Sequence, residues 1–216
     1  RGLWFKMNFF EPACRIPLIV CAPGHFAPRR LTGHASLVDL LPTLVELGGG
    51  RSDHEYAEPV DGLSLVPMLI GSGEGGRAAQ PEVVGEYLAE GAIAPIVMIR
   101  RDRFKFVHSS ADPDQLYDLA ADPLELRNLA DTPEQAGTVA AFREEVSRRW
   151  SLTDLHAEVI ASQSRRHLVY AALRAGRYQP WDHQPLRNAS RLYIRNDQEL
   201  NELEAMARFP PLAPRS

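Results

Sequence analysis

The sequence is poor in cysteine. Its 216 residues contain two, Cys14 and Cys21. Their spacing leaves a disulfide open, but two cysteines without a framework pattern are typical of proteins from reducing compartments. We therefore expect a cytoplasmic location and two thiols that serve as packing groups, with Cys21 buried.

Long apolar runs are also missing. The most apolar stretch, residues 16–22, is much shorter than the ~20 residues that a membrane-spanning helix needs. The chain shows no basic start followed by an apolar run, which would mark a secretory signal peptide. It opens on Arg1 rather than on Met, and we expect it to begin inside a larger protein.

Neither sign of charge is in large excess. Lys and Arg number 24 against 28 Asp and Glu, which gives a net charge of -4. This balance gives no electrostatic basis for binding nucleic acid or an anionic membrane surface. The Walker phosphate loop, HExxH and GxSxG are absent, and the seven histidines have no metal-ligand spacing. We expect no nucleic acid, no membrane and no metal ligands from this chain.

The apolar residues that are present first follow an α/β pattern. Residues 18–23 form a short apolar run that ends at Pro-Gly, which predicts a buried strand. Helical spacing over 36–47 predicts a helix, with Asp39 placed to cap it. Residues 49–82 are rich in glycine and predict surface loops at a boundary.

Short strands then follow one another and indicate a small antiparallel sheet. We expect four strands and two helices, over residues 83–88, 96–99, 104–107, 115–119, 133–150 and 154–176. The last ~40 residues carry aromatic and Arg anchors without a regular period. Such a tail needs another surface to pack on, either the parent domain or a neighbouring subunit.

A cluster of charged residues lies just ahead of the first predicted strand. Lys6, Glu11 and Arg15 fall within ten residues, and loops at strand ends form the sites of α/β sheets. Lys supplies a point charge for an oxyanion, and Arg supplies a fork that orients a carboxylate. By residue type, the cluster is either part of an anion site or a Glu11–Arg15 ion pair beside a solvated Lys6.

Three sequence blocks occur in one order along the chain. They read Lys-x4-Glu-x3-Arg-x-Pro, Asp-Leu-Leu-Pro-Thr-Leu, and Gln-Leu-Tyr-Asp-Leu followed by Asp-Pro, Glu and Asn-Leu, in residues 6–17, 39–44 and 115–129. Together they resemble the second half of sulfatases of the alkaline-phosphatase superfamily. Further blocks resemble the choline-sulfatase type, in residues 85–91, 99–106, 112–115, 181–182 and 195–210.

The resemblance implies an α/β fold class, namely the C-terminal part of an alkaline-phosphatase-like sulfatase fold. It implies the end of the sulfatase α/β domain over residues 1–80. A small antiparallel sheet plus helix would follow over 81–150, and a helical choline-sulfatase-type extension with an extended tail over 151–216.

The resemblance also implies hydrolysis of choline O-sulfate to choline and sulfate. In this family a cysteine in Cys-x-Pro/Ser-x-Arg becomes formylglycine, whose hydrate attacks sulfur while calcium holds the sulfate. Cys21 is followed by Ala-Pro-Gly-His, with His25 where the motif needs Arg, and Cys14 lacks the Pro. We therefore expect formylglycine and the calcium ligands in a missing N-terminal sulfatase region, and this chain to be inactive alone.

The resemblance gives the charged cluster distinct roles. Lys6 would be catalytic, because the family's Lys at this point contacts a sulfate oxygen and compensates charge as the S–O bond breaks. Glu11 and Arg15 would brace the loop as structural support.

Choline imposes a second requirement. Its quaternary ammonium has no N–H, so aromatic faces and carboxylates hold it. Glu86 is the first substrate-binding candidate, whereas Tyr87 is expected in the core. Asp197 and Glu199 are further candidates, because tails of this type reach an active site across a subunit contact in a homo-oligomer; solvated surface acids are the alternative.

Two other functions remain open on the sequence. One is a sulfatase or phosphonate hydrolase of the same superfamily that acts on another ester. The other is a non-catalytic truncated chain or interaction module that packs on a separately encoded N-terminal half.

Overall fold

The computed structural model describes residues 6–50, 56–71, 82–89 and 91–175. The chain forms two compact units, residues 1–164 and 165–216. In the second unit the structure describes residues 165–175, which complete the last helix. The predicted three-part division at 80 and 150 stays a prediction.

The described elements are five α-helices, two 3₁₀ turns and four strands. In chain order they are α1 (Glu11–Cys14), a 3₁₀ turn (Leu37–Asp39), α2 (Leu40–Leu47), α3 (Val66–Ile70), β1 (Glu82–Tyr87), β2 (Ile96–Arg101), β3 (Phe104–Ser109), β4 (Asp112–Asp118), a 3₁₀ turn (Pro133–Gln135), α4 (Ala136–Arg149) and α5 (Leu152–Ala175). The predicted four strands and the helices over 36–47, 133–150 and 154–176 are confirmed. The five-residue α3 is additional, within a region predicted as loop.

The strands form one antiparallel sheet in the order β1-β2-β3-β4. Each strand pairs with the next along the chain, with Ile99 opposite Phe106 and Phe106 opposite Leu116. Asp102 begins the tight turn between β2 and β3 with φ 48, a left-handed conformation that Asp adopts more readily than most residues. The predicted hairpin around a polar turn is therefore correct.

One face of the sheet packs on α4. Val97, Ile99, Phe106 and Leu116 are fully buried there against apolar residues of the helix. The Phe106 and Phe142 rings stack with their centroids 5.3 Å apart. Because side chains three and four apart share a helix face, α4 presents its apolar side to the sheet with three buried residues, Val139, Phe142 and Val146.

Ion pairs fasten the end of α4 to the β1–β2 edge. Arg101 donates from Nε to Glu82 at 2.8 Å, and its Nη2 lies 3.7 Å from the Glu145 carboxylate. Arg149 bonds both Glu82 and Glu145. Burial raises the pKa of the Glu145 carboxyl, but hydrogen bonds from Arg149 and Arg148 outweigh it, so the net pKa lies below the ordinary value.

The helix over 36–47 is organised by polar groups at its start. The buried Asp39 carboxylate accepts N–H bonds from Ser36 at 2.8 Å and from Leu63 at 2.9 Å. Thr43 Oγ1 accepts the Leu65 N–H at 2.8 Å and donates to the Asp39 carbonyl at 2.6 Å. Asp39 stands at the N-cap of α2 as predicted, but its side chain makes no capping bond to that helix. The carboxylate instead closes a capping box with Ser36 at the preceding 3₁₀ turn and ties Leu63 to it.

The predicted buried strand over 18–23 is wrong. Residues 15–22 belong to no strand in the described part of the chain. Ile19 is 87% exposed and Cys21 is exposed as well, which corrects the expectation that Cys21 is buried. A strand exists only when its N–H and C=O groups pair with a neighbour, and the described residues supply none here.

Helix α2 and the stretch before it leave apolar side chains in solvent. Large exposed side chains on this part of the chain are Ile16, Leu18, Ile19, Leu37, Val38, Leu41 and Leu44. We call these seven residues the apolar surface. No described helix is both long and apolar enough to cross a membrane.

Removing the Phe142 ring tests the helix–sheet core. We expect Phe142→Ala to lower the free energy of unfolding by about 3–5 kcal/mol, because the ring leaves a cavity against Phe106. Denaturant unfolding followed by circular dichroism measures this. Ile93→Ala, at a side chain 78% exposed, is the matched control and should change stability by less than about 0.5 kcal/mol.

Glu145 makes stability depend on pH in the acid range. Because its folded-state pKa lies below the ordinary carboxyl value of 4.5, the stabilisation is complete above that value. It is lost as pH falls through the lower folded-state pKa. The stability difference between the parent chain and Glu145→Gln should therefore shrink on acidification, measured by urea unfolding at a series of pH values. A constant difference would contradict this role, and the exposed Glu144→Gln is the control.

Candidate functional site

The segment that carries the charged cluster is a loop followed by one helical turn. Lys6 is exposed at its start. The Asn8 side chain accepts the Phe10 N–H at 3.0 Å, and α1 then begins at Glu11. The Arg15 N–H closes the turn on the Glu11 carbonyl at 2.8 Å. The backbone of residues 8–15 is thus held locally.

A buried ammonium holds this segment against the sheet. Lys105, the second residue of β3, is 1% exposed. Its Nζ donates to the Phe9 carbonyl at 2.7 Å and lies 2.7 Å from both the Glu11 Oε1 and the Glu125 Oε1. The Glu125 Oε2 accepts the Glu11 N–H at 2.7 Å. We call Lys105, Glu125, Glu11 and the Phe9 carbonyl the Lys105 cluster.

Alternation along β3 explains why Lys105 points to this side. Successive side chains of a strand face opposite ways. Phe106 faces α4, so Lys105 faces the N-terminal segment, where Phe10 also contacts the Tyr117 ring at 5.9 Å. Lys105 is not among the residues singled out from the sequence; the signal that points to it is a Lys between the two aromatic residues of an apolar strand.

Glu125 reaches the cluster from the turn after β4. It has φ 54, and its N–H donates to the Asp122 carbonyl at 3.0 Å. Asn128 supports the same turn, since its Oδ1 accepts the Leu116 N–H at 2.9 Å. The Asp-Pro, Glu and Asn-Leu block singled out in the sequence therefore builds a turn that delivers a buried carboxylate.

The cluster changes the interpretation of Glu11 and Arg15. The Glu11 carboxylate contacts the Lys105 ammonium, whereas the Arg15 side chain is exposed. A Glu11–Arg15 ion pair was one of the two interpretations of the sequence. The bond that the structure shows between these residues is a main-chain bond, from the Arg15 N–H to the Glu11 carbonyl. That these two residues support Lys6 stays a prediction.

Glu86 lies on edge strand β1, where it pairs with Val97. Its side chain is exposed, and its Oε1 accepts the Trp150 indole N–H at 2.5 Å. The Trp150 ring packs on the helix–sheet core, so one carboxylate oxygen of Glu86 has a fixed position. Tyr87, expected in the core, is half-buried.

Lys6 and Glu86 belong to different faces of β1. Gly85 faces the N-terminal segment so closely that a Cβ there would lie 2.8 Å from the Phe9 ring. Because neighbouring side chains alternate, Glu86 projects to the other face, toward Trp150. Within the described residues the two candidates are therefore not gathered into one cavity. The tail candidates Asp197 and Glu199 lie outside the described residues.

One thiol and one imidazole, those of Cys14 and His34, have shifted pKa values. Burial raises the pKa of the Cys14 thiol, although the Lys105 ammonium opposes the shift. Burial, and then the Arg100 guanidinium, lower the pKa of His34, so this imidazole is neutral at pH 7.

A metal ion needs several donor side chains that converge on one point. Among the residues that the structure describes, no group of three or more His, Cys, Asp or Glu side chains is arranged to hold a metal ion. The exposed Cys21 lacks the Arg of the formylglycine motif. The described residues therefore do not fit the calcium and formylglycine that the resemblance implies.

Two sequence families match this chain. The family described as "N-sulphoglucosamine sulphohydrolase, C-terminal" matches residues 1–151. The family described as "Choline sulfatase enzyme C terminal" matches residues 157–209. The first match contains the Lys105 cluster, Glu86 and the whole sheet.

Individual proteins are similar to parts of this chain. The chain is 46% identical over 213 residues to the choline-sulfatase of Rhizobium meliloti, which covers 97% of this chain and 40% of that protein. It is 32% identical over 134 residues to arylsulfatase K of Gallus gallus, covering 59% and 24%. A solved 2-O GAG sulfatase aligns at 34% identity with a TM-score of 0.42, covering 51% of this chain and 24% of that one.

The chain spans 40% of the length of the Rhizobium protein and 24% of the Gallus protein. The match to the first family extends over more than half of this chain. The second family continues the match into residues 157–209. This chain belongs to the sulfatase family.

Proposed function

We propose that this chain serves a sulfuric ester hydrolase whose substrate is choline O-sulfate. The observation that carries the proposal is the 46% identity to a choline-sulfatase over 97% of the chain, together with the match of residues 157–209 to the choline-sulfatase C-terminal family. The arylsulfatase relative matches 59% of this chain over 134 residues, so the longer match favours the choline ester.

Lys6 is the residue that we assign to the sulfate group. Its ammonium is exposed and therefore accessible to an anion, while the residues that follow it are held by the Lys105 cluster. A cation placed at a sulfate oxygen stabilises the negative charge that develops as the ester S–O bond breaks. The role of Lys6 is to place this cation at the sulfate oxygen.

Glu86 is the residue that we assign to choline. Because it projects to the face of β1 opposite the segment with Lys6, it would reach the ammonium of an ester held by Lys6 from a neighbouring subunit of a homo-oligomer. A quaternary ammonium donates no hydrogen bond, so a carboxylate attracts it through charge alone, and aromatic rings attract it through their faces. The Trp150 indole N–H fixes Glu86 Oε1. This arrangement orients the carboxylate without neutralising it. Asp197 and Glu199 would complete the choline site from the tail of a neighbouring subunit in a homo-oligomer.

This function requires a partner, namely a sulfatase region that corresponds to the part of the relatives' sequence outside the match. We propose that it covers the apolar surface on and before α2, where Ile19 is 87% and Leu44 is 65% exposed. We further propose that it supplies calcium ligands and formylglycine. Burial of apolar side chains is favourable by about 25 cal/mol per Å², so covering these exposed side chains would favour docking.

The Lys6 assignment predicts a loss of turnover. In the full-length protein we expect Lys6→Ala to lower kcat for choline O-sulfate by about 10²–10³-fold, the usual effect of removing one group that stabilises an oxyanion. KM should change much less. Arg165→Ala, at an exposed cation in α5, is the control. Unchanged turnover in Lys6→Ala would refute the assignment.

The Glu86 assignment predicts a change in specificity. We expect Glu86→Gln to raise KM for choline O-sulfate about tenfold, equivalent to about 1.4 kcal/mol, because the charge that attracts the ammonium is gone. KM for 4-nitrophenyl sulfate, which has no cation, should stay within about twofold. Steady-state kinetics on both esters measure this, with the exposed Glu134→Gln as the control. Equal losses on the two esters would remove Glu86 from the choline site.

A further inference from the structure

The Lys105–Glu125 pair has a feature that stability alone does not explain. Both side chains are almost fully buried, at 1% and 2% exposure. Burying two ions costs several kcal/mol for each of them, and apolar side chains of similar volume often stabilise a core as well or better. What apolar side chains cannot do is bond the main chain of the neighbouring segment.

The pair makes such bonds at two points. Lys105 Nζ donates to the Phe9 carbonyl at 2.7 Å, and Glu125 Oε2 accepts the Glu11 N–H at 2.7 Å. Both backbone groups lie within five residues of Lys6. Because Glu125 also bonds Lys105 through its other oxygen, the two main-chain contacts are joined through one rigid unit.

The pair links parts of the molecule that are far apart in sequence. Lys105 is 96 residues from Phe9, and Glu125 is 114 residues from Glu11. Each side chain comes from the sheet or from the turn after it, and that sheet has its own core with α4. A loop whose main chain is bonded to a packed sheet keeps its geometry, and a misplacement of about 1 Å at a reacting group can cost 10²-fold in rate.

We propose that Lys105 and Glu125 are positioning residues for Lys6. They hold the main chain of residues 9–11 on the sheet and so set where the Lys6 ammonium meets the sulfate group. This inference rests on the proposed function, in which Lys6 contacts the ester. The pair acts through Lys6 and touches no substrate itself.

The test removes both main-chain contacts while keeping the core filled. The variant Lys105→Met with Glu125→Leu replaces the buried ions by apolar side chains of similar size. Its control is Arg103→Met with Asp118→Asn, which removes the ion pair between the β2–β3 turn and the end of β4. It keeps a side-chain oxygen for the Ala120 and Ala121 N–H groups and leaves residues 9–11 untouched. Each pair of changes is made in the full-length protein, with Lys6 and with Lys6→Ala.

The positioning role predicts three results together. In the Lys105→Met, Glu125→Leu variant, kcat for choline O-sulfate falls at least about tenfold while KM stays within about twofold. Hydrogen exchange of the Glu11 amide accelerates at least about tenfold, but exchange of the sheet amides does not. In the Lys6→Ala background the same variant costs little further activity, because the residue that it positions is gone. The Arg103, Asp118 control shows none of these effects.

Other outcomes overturn the inference in distinguishable ways. If Lys6→Ala lowers kcat and the Lys105, Glu125 variant does not, the positioning role fails and the proposed function stands. If the Lys105, Glu125 variant lowers kcat equally in the Lys6 and the Lys6→Ala backgrounds, the pair has a structural role that does not act through Lys6. If Lys6→Ala leaves kcat unchanged, the proposed role of Lys6 fails and the positioning role fails with it.

A second variant keeps the test decisive if the apolar pair fails to fold. In Glu125→Gln the side chain keeps only one acceptor oxygen. The Lys105 ammonium and the Glu11 N–H each bond one oxygen of Glu125, so one of these two donors loses its acceptor. We expect it to fold, to speed exchange of the Glu11 amide and to lower kcat about three- to tenfold without raising KM. Normal exchange of that amide together with normal kcat would overturn the inference.

Discussion

The ammonium of Lys105 is the constraint on which the arrangement of the described site depends. A buried cation is tolerated only when several acceptors surround it, and here the acceptors come from two distant parts of the chain. Phe9 and Glu11 belong to the N-terminal segment, and Glu125 belongs to the turn after β4. Satisfying one charge therefore requires the segment, the sheet and the turn to be in place together.

The sheet performs two separate tasks with its two faces. The face toward α4 is a packed apolar layer that includes the stacked Phe106 and Phe142 rings. The opposite face carries Lys105 and receives the segment with Lys6. Because strand side chains alternate, a single strand, β3, supplies both the core that stabilises the sheet and the charge that binds the segment. Stability and site geometry thus share one element.

Much of the fold was accessible from patterns in the sequence. The strands of the sheet and the helices over 36–47, 133–150 and 154–176 follow from local periodicity, and the structure contains them all. The strand over 18–23 failed for a physical reason: an apolar run predicts a strand only where another strand can pair with it. Likewise, the sequence suggested an ion pair between Glu11 and its neighbour Arg15. The Glu11 carboxylate contacts Lys105 instead, a residue that no local pattern connects to it.

The sequence by itself determined most of the local elements and the charge balance, and it supplied candidate residues for a sulfate site, because propensity, periodicity and motif order are properties of short stretches. Only the tertiary structure decided the partners of those residues. It showed that Glu125 reaches the Glu11 N–H across 114 residues, and that Glu86 faces Trp150 across 64 residues. Such contacts depend on strand register and turn geometry, which bring together residues whose separation along the chain carries no information about distance.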